Sequence, residues 1–387
     1  MNVDFLEYYV SLFSEKLWGV PLVLFIVVSS VIFSFFFGFI QIKKFIIGWK
    51  LIFQKNEDKK TSENSISTFQ AFVNALSSSL GNGGLGGMAT VFVEGGPGTV
   101  FWVLILGFFS MILRFVEVYA GLVLKSENKE LVGPLSYIKN LPFGKIWVYC
   151  YSLIMLIYVF CAGISMQCNT MGLAVSKMTN FSNFSIGIFF ALFVLYIIIG
   201  GSKRIMKVAE IIIPIKVGLF FAGIITLLIY HYKNIPDAIR LVLDNAFTID
   251  SLAKGSTVFT MQKAITSGFS RALNATEAGV GVASVFFGST EAKSPLKSAI
   301  MSMITAFIST DLVCAMLLFG LVVSGVTSGG LTSASLVVKA FETVFGYLAV
   351  PGITFLSFSF GLGVMVAYSF LGYKMWEFLF GKRTFLI

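Results

Sequence analysis

Apolar segments, separated by short polar and basic stretches, run along almost the whole chain. A helix of about 20 apolar residues spans a bilayer, and the pattern predicts nine such spans. The predicted spans lie at about 19–41, 68–94, 99–124, 146–176, 184–200, 209–230, 259–290, 298–324 and 349–372. Residues 325–347 are rich in glycine and serine and then amphipathic, so we interpret them as an external re-entrant or surface helix.

Two of the predicted spans are broken by glycine. Residues 81–87 in the second span hold five glycines with Asn82 among them, and each glycine destabilises a helix by roughly 1 kcal/mol relative to alanine. The seventh span has a polar stretch, 271–277, beside Gly279 and Gly281. Unwound backbone at membrane depth is tolerated only where it is buried in protein or lines a cavity. Two broken spans therefore predict a transporter binding site near the membrane midplane.

The basic residues predict the orientation of the spans. Lys and Arg cluster in the segments 42–67, 125–145, 200–207, 291–297 and 374–383, and cytoplasmic loops carry such an excess. These clusters all fall on one predicted side of the membrane. This places the N-terminus outside and the C-terminus inside.

The two broken spans also predict an internal repeat. They are five spans apart, so they cross the membrane in opposite directions, as corresponding helices of an inverted five-helix repeat do. The predicted parts are residues 1–67 (external N-terminus, first transmembrane helix and cytoplasmic linker), 68–230 (first five-helix repeat), 231–258 (external segment) and 259–387 (incomplete second repeat of three spans).

Composition supports an all-α polytopic membrane protein. Of the 387 residues, 57% are hydrophobic and 12% are charged, with a mean hydropathy of +0.89, whereas a soluble domain has about 25% charged residues. The net charge of +9 could indicate nucleic-acid binding, but basic cytoplasmic loops explain it better. We predict the lipid bilayer as a partner and no nucleic acid. No nucleophile–base set or metal-ligand spacing indicates an enzyme.

Several motifs together resemble the alanine/glycine:cation symporter family, also called the sodium:alanine symporters. The resemblance extends from about Trp18 to Gly381. The matching motifs are Phe69-Gln70-Ala71, Gly87-x-Ala89-Thr90, Gly95-Gly96-Pro97-Gly98-x-x-Phe101-Trp102, Phe115-x-Glu117, Gly133-Pro134-x-x-Tyr137-Ile138, Gln167-x-Asn169, Gly201-x-Lys203-Arg204-Ile205, Gly268-Phe269-x-Arg271-x-Leu273-x-x-x-Glu277-Ala278-Gly279-x-Gly281 and Glu377-x-Leu379-Phe380-Gly381.

The resemblance implies a leucine-transporter-type fold of two inverted five-helix repeats with an extra N-terminal helix. It implies sodium-coupled symport of a small neutral amino acid, alanine or glycine, by alternating access across a prokaryotic cytoplasmic membrane. The family continues for two further spans after Gly381, so we expect the second repeat to lack its last two helices. The sequence leaves the oligomeric state open.

This chain departs from the family at several site positions. The family reads Gly-Thr-Gly-Asn at 81–84, so its asparagine position is Gly84 here. Its Ser-Asn-Glu becomes Ala-Thr-Glu at 275–277. Its hydroxyl pair on the last span falls on Gly363 and Val364, and its tryptophan aligns with Tyr368. Its Asp-Thr pair aligns with 309–310 or with Asp311.

The two breaks and the resemblance imply a site for a zwitterionic amino acid. Half-helix N-termini offer free N–H groups and a positive dipole end to a carboxylate, so that group is assigned to the first break. Free carbonyls at the second break are assigned to the ammonium group. The residues assigned to the substrate are Gly81, Asn82, Gly83, Gly84, Gln167, Asn169, Thr276, Gly279 and Tyr368.

By resemblance alone, a coupling Na⁺ lies between carbonyls at the end of the first half-helix and the last span. Its assigned ligands are Ser78, Gly81 and Ser359, and no other cofactor is expected. Intramembrane charges are functional candidates by default. The gating or structural charges proposed on this basis are Glu117, Arg271, Glu277 and Asp311.

Alternatives remain open for the residues and for the function. The glycines could provide close helix packing through Gly83 and Gly87, and the polar pair Gln167 and Asn169 could join helices by hydrogen bonds. Glu117 with Arg114, or Glu277 with Arg271, could be structural pairs. The fold could carry another cargo or use protons, for example at Asp311. The chain could also be a degenerate membrane protein that does not transport.

Overall fold

The structure is a computed structural model that describes residues 8–9, 12–13, 20–54, 66–125, 131–176, 182–247, 261–291, 294–326, 329–331 and 333–381. In these ranges the regular structure is helical, apart from one β-bridge between Ile66 and Thr290. The α-helices are α1 (Val20–Phe36), α2 (Ile40–Lys43), α3 (Phe45–Phe53), α4 (Thr68–Ser79), α5 (Met88–Gly95), α6 (Thr99–Val123), α7 (Pro134–Ile138), α8 (Gly144–Tyr158), α9 (Met166–Ser176), α10 (Asn183–Ile199), α11 (Gly201–Tyr230), α12 (Ile235–Phe247), α13 (Met261–Thr276), α14 (Val282–Gly288), α15 (Pro295–Ala306), α16 (Ala315–Val323), α17 (Ser333–Phe345) and α18 (Ala349–Phe380). Shorter helical turns are π-helical at Gly83–Gly87, Val159–Ser165 and Phe307–Cys314, and 3₁₀ at Tyr232–Asn234 and Gly346–Leu348.

The long apolar helices identify an integral membrane protein. Five helical segments of the described residues are long and apolar enough to cross a membrane, and two further apolar helices are shorter. The five are Thr99–Val123, Gly144–Gly172, Arg204–Tyr230, Pro295–Val323 and Ser333–Phe380. Large apolar side chains are exposed on the outer helices, as expected for surface that faces lipid tails. Each of the nine predicted spans contains helix in the structure, and the two predicted to be broken are the divided pairs α4–α5 and α13–α14.

The two divided helices lie in the interior of the helix bundle. Helix α6 packs against α13, α14 and α15, and α18 packs against α4, α9 and α11. The halves α4 and α14 also contact each other directly. The segment 325–347, predicted to be a re-entrant or surface helix, contains helix α17, which packs on α18 and on the Gly83–Gly87 turn.

The first break is shorter than the sequence predicts. A capping box between Ser67 and Gln70 starts α4, and the helix ends at Ser79. Only residues 80–81 are unwound, because Asn82 is helical and Gly83–Gly87 continues as a π-helical turn. Since all five glycines in 81–87 have negative φ angles, they are not needed for a left-handed backbone.

These glycines instead leave space for neighbouring groups. A Cβ atom on Gly81 would lie 2.8 Å from Val364, and one on Gly86 would lie 2.5 Å from Ser333 Oγ. A Cβ on Gly83 would meet nothing within 4 Å. Close helix packing therefore does not require glycine at position 83, which weakens the alternative that Gly83 and Gly87 form a helix-packing motif.

The second break has a different geometry. Helix α13 ends at Thr276 and α14 begins at Val282. Between them Glu277, Gly279 and Gly281 adopt positive φ angles of 53°, 85° and 93°. Glycine adopts this left-handed region at little cost, so the glycines predicted to break the span do so directly. Glu277 is a non-glycine residue held in the same region.

Candidate functional site

A cavity of about 220 Å³ lies between the two breaks. This volume is below the roughly 300–1,000 Å³ of pockets for drug-sized ligands, so the cavity suits a small solute. Its wall comes from α4, the first break, the α8–α9 segment, α13, the second break and α18. The lining residues are Ser78, Ser79, Gly81, Gly83, Gly84, Tyr158, Ala162, Met166, Gln167, Arg271, Asn274, Ala275, Glu277, Val364 and Tyr368.

The Glu277 carboxylate connects three parts of the cavity wall. Its Oε2 accepts a hydrogen bond from Ser78 Oγ at 2.9 Å, and its Oε1 accepts one from the Tyr368 hydroxyl. The Tyr368 hydroxyl in turn lies 3.4 Å from that of Tyr158. Glu277 therefore joins α4, the second break and α18, although it is only 3% exposed.

Arg114 and Glu117 on α6 hold the second break from behind. Arg114 Nη1 donates to Glu117 Oε1 at 2.7 Å, and Arg114 Nη2 donates to the Thr276 carbonyl at the end of α13. The N–H groups of Gly279 and Gly281 donate to Glu117 Oε2 at 2.8 and 3.2 Å. One buried ion pair thus satisfies backbone groups on both sides of the break. This agrees with the alternative that Arg114 and Glu117 form a structural pair.

The backbone of the first break is partly fixed by side chains. The N–H of Asn82 donates to Gln167 Oε1 at 3.2 Å, and Asn82 Oδ1 accepts from Ser357 Oγ at 2.7 Å. In the part of the chain that the structure describes, the N–H groups of Gly81 and Gly83 have no hydrogen-bond acceptor. These two donors lie at the cavity wall and can bind an anionic group.

A second cavity of about 160 Å³ lies next to the first and is partly closed by α17. Gly83, Met166 and Arg271 line both cavities. Among the described residues, the Arg271 guanidinium makes no ion pair and no hydrogen bond. It does not pair with Glu277, so the predicted alternative of a structural Arg271–Glu277 pair is wrong.

Comparison with known proteins identifies the family. A sequence model of the sodium:alanine symporter family matches residues 3–387. The chain belongs to this family. As a member of this symporter family it is a membrane transporter and not an enzyme, so the resemblance seen in the sequence is confirmed.

Proteins named as transporters or symporters match over most of the chain. The chain is 28% identical over 380 residues to the uncharacterized transporter YflA of Bacillus subtilis, covering 95% of this chain and 79% of that protein. It is 29% identical over 380 residues to the sodium/alanine symporter AgcS of Methanococcus maripaludis, covering 95% and 82%. It is 26% identical over 356 residues to GlnT of Bacillus subtilis, named a probable sodium/glutamine symporter, covering 89% and 73%.

In this family member, the structure brings together eight of the residues singled out from the sequence. They come from both breaks, from the start of α9 and from α18, and all line the larger cavity. They are Ser78, Gly81, Gly83, Gly84, Gln167, Arg271, Glu277 and Tyr368.

Four other predicted residues lie away from this cavity. The Asn82 side chain points towards Ser357 and lines the second cavity. Thr276 is buried, with its carbonyl bound by Arg114, and Gly279 is engaged through its N–H with Glu117. Asn169 is exposed on α9, on a different face of the helix from Gln167.

The remaining three predicted residues also lie elsewhere. Glu117 on α6 accepts the hydrogen bonds from Gly279 and Gly281 and does not line the cavity. Ser359 Oγ donates to the Phe355 carbonyl of its own helix at 2.9 Å. Asp311 lines a separate, apolar cavity of about 310 Å³ between α6, α12 and α16, and its Oδ2 has no partner among the described residues. Asp311 is therefore not part of the cavity between the breaks.

The sequence analysis missed Lys216, a fully buried residue on α11. Its Nζ donates to the Leu80 carbonyl at 2.9 Å, and lies 3.3 and 3.4 Å from the carbonyl and Oγ of Ser77. The signal was present in the sequence, because a lysine inside the predicted span 209–230 is an intramembrane charge and so a functional candidate.

Proposed function

We propose that the protein is a secondary transporter that carries a small neutral amino acid across a prokaryotic cytoplasmic membrane by alternating access. One observation carries the proposal: Glu277 and Arg271 line the same small cavity without pairing with each other. A zwitterionic amino acid presents both matching charges within a few ångströms. The two unpaired protein charges therefore complement the two ends of such a substrate.

The substrate carboxylate is assigned to the first break. Gly81 and Gly83, whose N–H groups have no acceptor among the described residues, line the cavity. The Gly83–Gly87 turn begins a new helical segment, whose N-terminal dipole end favours an anion. The Arg271 guanidinium adds a full positive charge and up to five donors. This assignment keeps the expected backbone ligands but replaces the Asn82 side chain with Arg271.

The substrate ammonium is assigned to the Glu277 carboxylate. Its two oxygens each accept one hydrogen bond, from Ser78 and Tyr368, and a carboxylate has about four acceptor positions. Capacity therefore remains for an ammonium donor. The Thr276 carbonyl, which the sequence suggested for this purpose, is already bound by Arg114.

The proposed fold is the leucine-transporter-type inverted repeat. Its support is that the two divided helices are packed against each other in the interior, α4 against α14, and that both are polar at the break. An external N-terminus and a cytoplasmic C-terminus follow from the basic clusters.

Cargo and coupling ion are supported to different degrees. AgcS is named for alanine and GlnT for glutamine, and a cavity of about 220 Å³ favours the smaller side chain. The family name favours Na⁺ as the coupling ion. The expected Na⁺ ligands, however, do not converge, because Ser78 Oγ donates to Glu277 and Ser359 Oγ donates to its own helix.

Uptake by the purified protein in liposomes tests the proposal. Wild-type protein should accumulate alanine or glycine from a panel of neutral amino acids. Glu277→Gln and Arg271→Gln should each raise the KM for that substrate by about tenfold or more, since hydrogen bonds to charged groups contribute about 1.5–3 kcal/mol. Arg240→Gln is the matched control, because Arg240 is exposed on α12.

Two results would contradict the proposal. One is an unchanged KM for both variants and for the control, which would show that Glu277 and Arg271 do not bind the substrate. The other is the absence of amino-acid flux in the wild-type protein under all ion conditions, which would favour the alternative of a membrane protein that does not transport.

A further inference from the structure

The ammonium group of Lys216 binds at the C-terminal end of α4. The Lys216 ammonium lies 2.9 Å from the Leu80 carbonyl oxygen, 3.3 Å from the Ser77 carbonyl oxygen and 3.4 Å from Ser77 Oγ. On another side, the ring centroid of Phe360 lies 5.4 Å from Nζ. Within the described residues no carboxylate pairs with Lys216. All its nearby polar partners are therefore neutral oxygens.

These oxygens form the kind of site that attracts a cation. The last carbonyls of a helix lack intrahelical donors and carry the negative end of the helix dipole. Helix α4 stops at Ser79 inside the protein, and Ser77 and Leu80, whose carbonyls contact Lys216, are fully buried. The same end of α4, facing the last span, is where the family resemblance places the coupling Na⁺.

Gly363 on α18 makes room for the lysine. A Cβ atom at this position would lie 2.5 Å from Lys216 Nζ and 2.9 Å from Ser77 Oγ, closer than real Cβ contacts allow. Position 363 is one of the two at which the family has a hydroxyl residue. A hydroxyl side chain there would require the end of the Lys216 side chain and the Ser77 hydroxyl to shift, and this chain has the glycine and the lysine together.

We propose that the Lys216 ammonium permanently takes the place of the coupling Na⁺, so that this protein binds and carries its substrate without sodium. The inference rests on the proposed function for the transport step, but the occupancy of the cation site stands on the geometry alone. A Na⁺ at the end of α4 would compete with Nζ for the same oxygens. Two unit charges about 4 Å apart at an effective dielectric of 20 repel enough to weaken binding by on the order of a thousandfold.

The first test is the ion dependence of the wild-type protein. Substrate uptake into liposomes should differ by less than about twofold between sodium chloride and equimolar choline chloride. A loss of about tenfold or more in choline would overturn the proposal. Lys216→Met should lose uptake in both salts, whereas Lys297→Met, which changes an exposed lysine on α15, should keep it.

A rebuilt sodium site provides the second test. The triple variant Lys216→Met, Gly363→Thr, Val364→Ser removes the ammonium and returns hydroxyls to the two family positions. Its uptake should return towards the wild-type rate in sodium and stay low in choline. Recovery that is equal in both salts would contradict the proposal, since Lys216 would then not stand in for an ion.

A measurement without substrate separates this inference from the proposed function. Na⁺ that binds only the folded state raises the unfolding temperature. The detergent-solubilised wild type should show the same unfolding temperature in sodium and choline chloride, and the triple variant should be more stable in sodium. Sodium stabilisation of the wild type would refute the inference, even if no amino acid is transported. Absence of transport with this expected pattern would refute only the proposed function.

Discussion

The Arg114–Glu117 pair makes a quantitative prediction about how the second break is held. In Arg114→Met, Glu117 keeps its hydrogen bonds from Gly279 and Gly281 but loses its counter-ion, which donates at 2.7 Å in the wild type. The Thr276 carbonyl loses its donor as well. Arg114 is 0% exposed and Glu117 7%, so water cannot replace the lost partner at low cost.

The expected loss follows from burial. Removing one partner of a buried ion pair costs about 3–5 kcal/mol. The Thr276 carbonyl also loses its hydrogen-bond donor, and we include that cost in the same range. We therefore expect Arg114→Met to lower the free energy of unfolding by about 3–5 kcal/mol. In the double variant Arg114→Met, Glu117→Gln, the buried charge is gone and the amide oxygen still accepts from the second break. The double variant should be less destabilised than the sum of the two single variants by about 1–3 kcal/mol.

Reversible unfolding in mixed micelles, with increasing denaturing detergent, measures these differences. Arg240→Met serves as the control, because the Arg240–Asp244 pair is 3.6 Å apart and largely exposed, and such pairs contribute little. The ion pair does not stabilise the break if Arg114→Met changes the free energy of unfolding by less than about 1 kcal/mol. The same conclusion follows if the destabilisation of the double variant equals the sum of those of the two single variants.

Two glycine substitutions test the backbone argument. Gly133→Ala should destabilise the protein by about 2 kcal/mol or more in the same unfolding assay. The reason is that Gly133 has a φ of +57° and that a new Cβ would lie 2.6 Å from the Val285 nitrogen. Unchanged stability would show that the backbones at Gly133 and Val285 are not tightly packed. Gly83→Ala should leave stability nearly unchanged, since its Cβ would meet nothing within 4 Å, but should lower alanine uptake several-fold because the methyl group enters the cavity. Unchanged uptake would place the substrate away from Gly83.

The sequence predicted the helical spans well because the signals for them are local. The length of an apolar segment predicts a membrane span regardless of which segments pack beside it. Each predicted span contains helix in the structure. The second break was also predictable, since Gly279 and Gly281 adopt the left-handed angles that glycine favours. The first break was placed too widely, because glycine composition does not distinguish unwound backbone from the π-helical turn Gly83–Gly87, which packs against α17.

The site was predicted less completely because it depends on pairings between distant segments. The sequence shows that Gln167 and Asn169 are both polar, but only the helix packing decides that Gln167 faces the cavity while Asn169 is exposed. The neighbouring charges Arg271 and Glu277 suggested a pair, whereas Glu277 binds Ser78 and Tyr368. Such partners are set by tertiary contacts and not by spacing along the chain.

The two breaks share one feature, and their difference supports the orientation proposed for an amino-acid substrate. In both, a buried cation from a neighbouring helix caps the carbonyls where the first half-helix ends: Lys216 at Leu80 and Arg114 at Thr276. Arg114 is neutralised by Glu117, but Lys216 has no carboxylate partner among the described residues. The first break therefore keeps a net positive charge, to which Arg271 adds, whereas Glu277 gives the second break a negative one. An amino acid bound with its carboxylate at the first break and its ammonium at Glu277 satisfies both excess charges, while the reverse orientation opposes them.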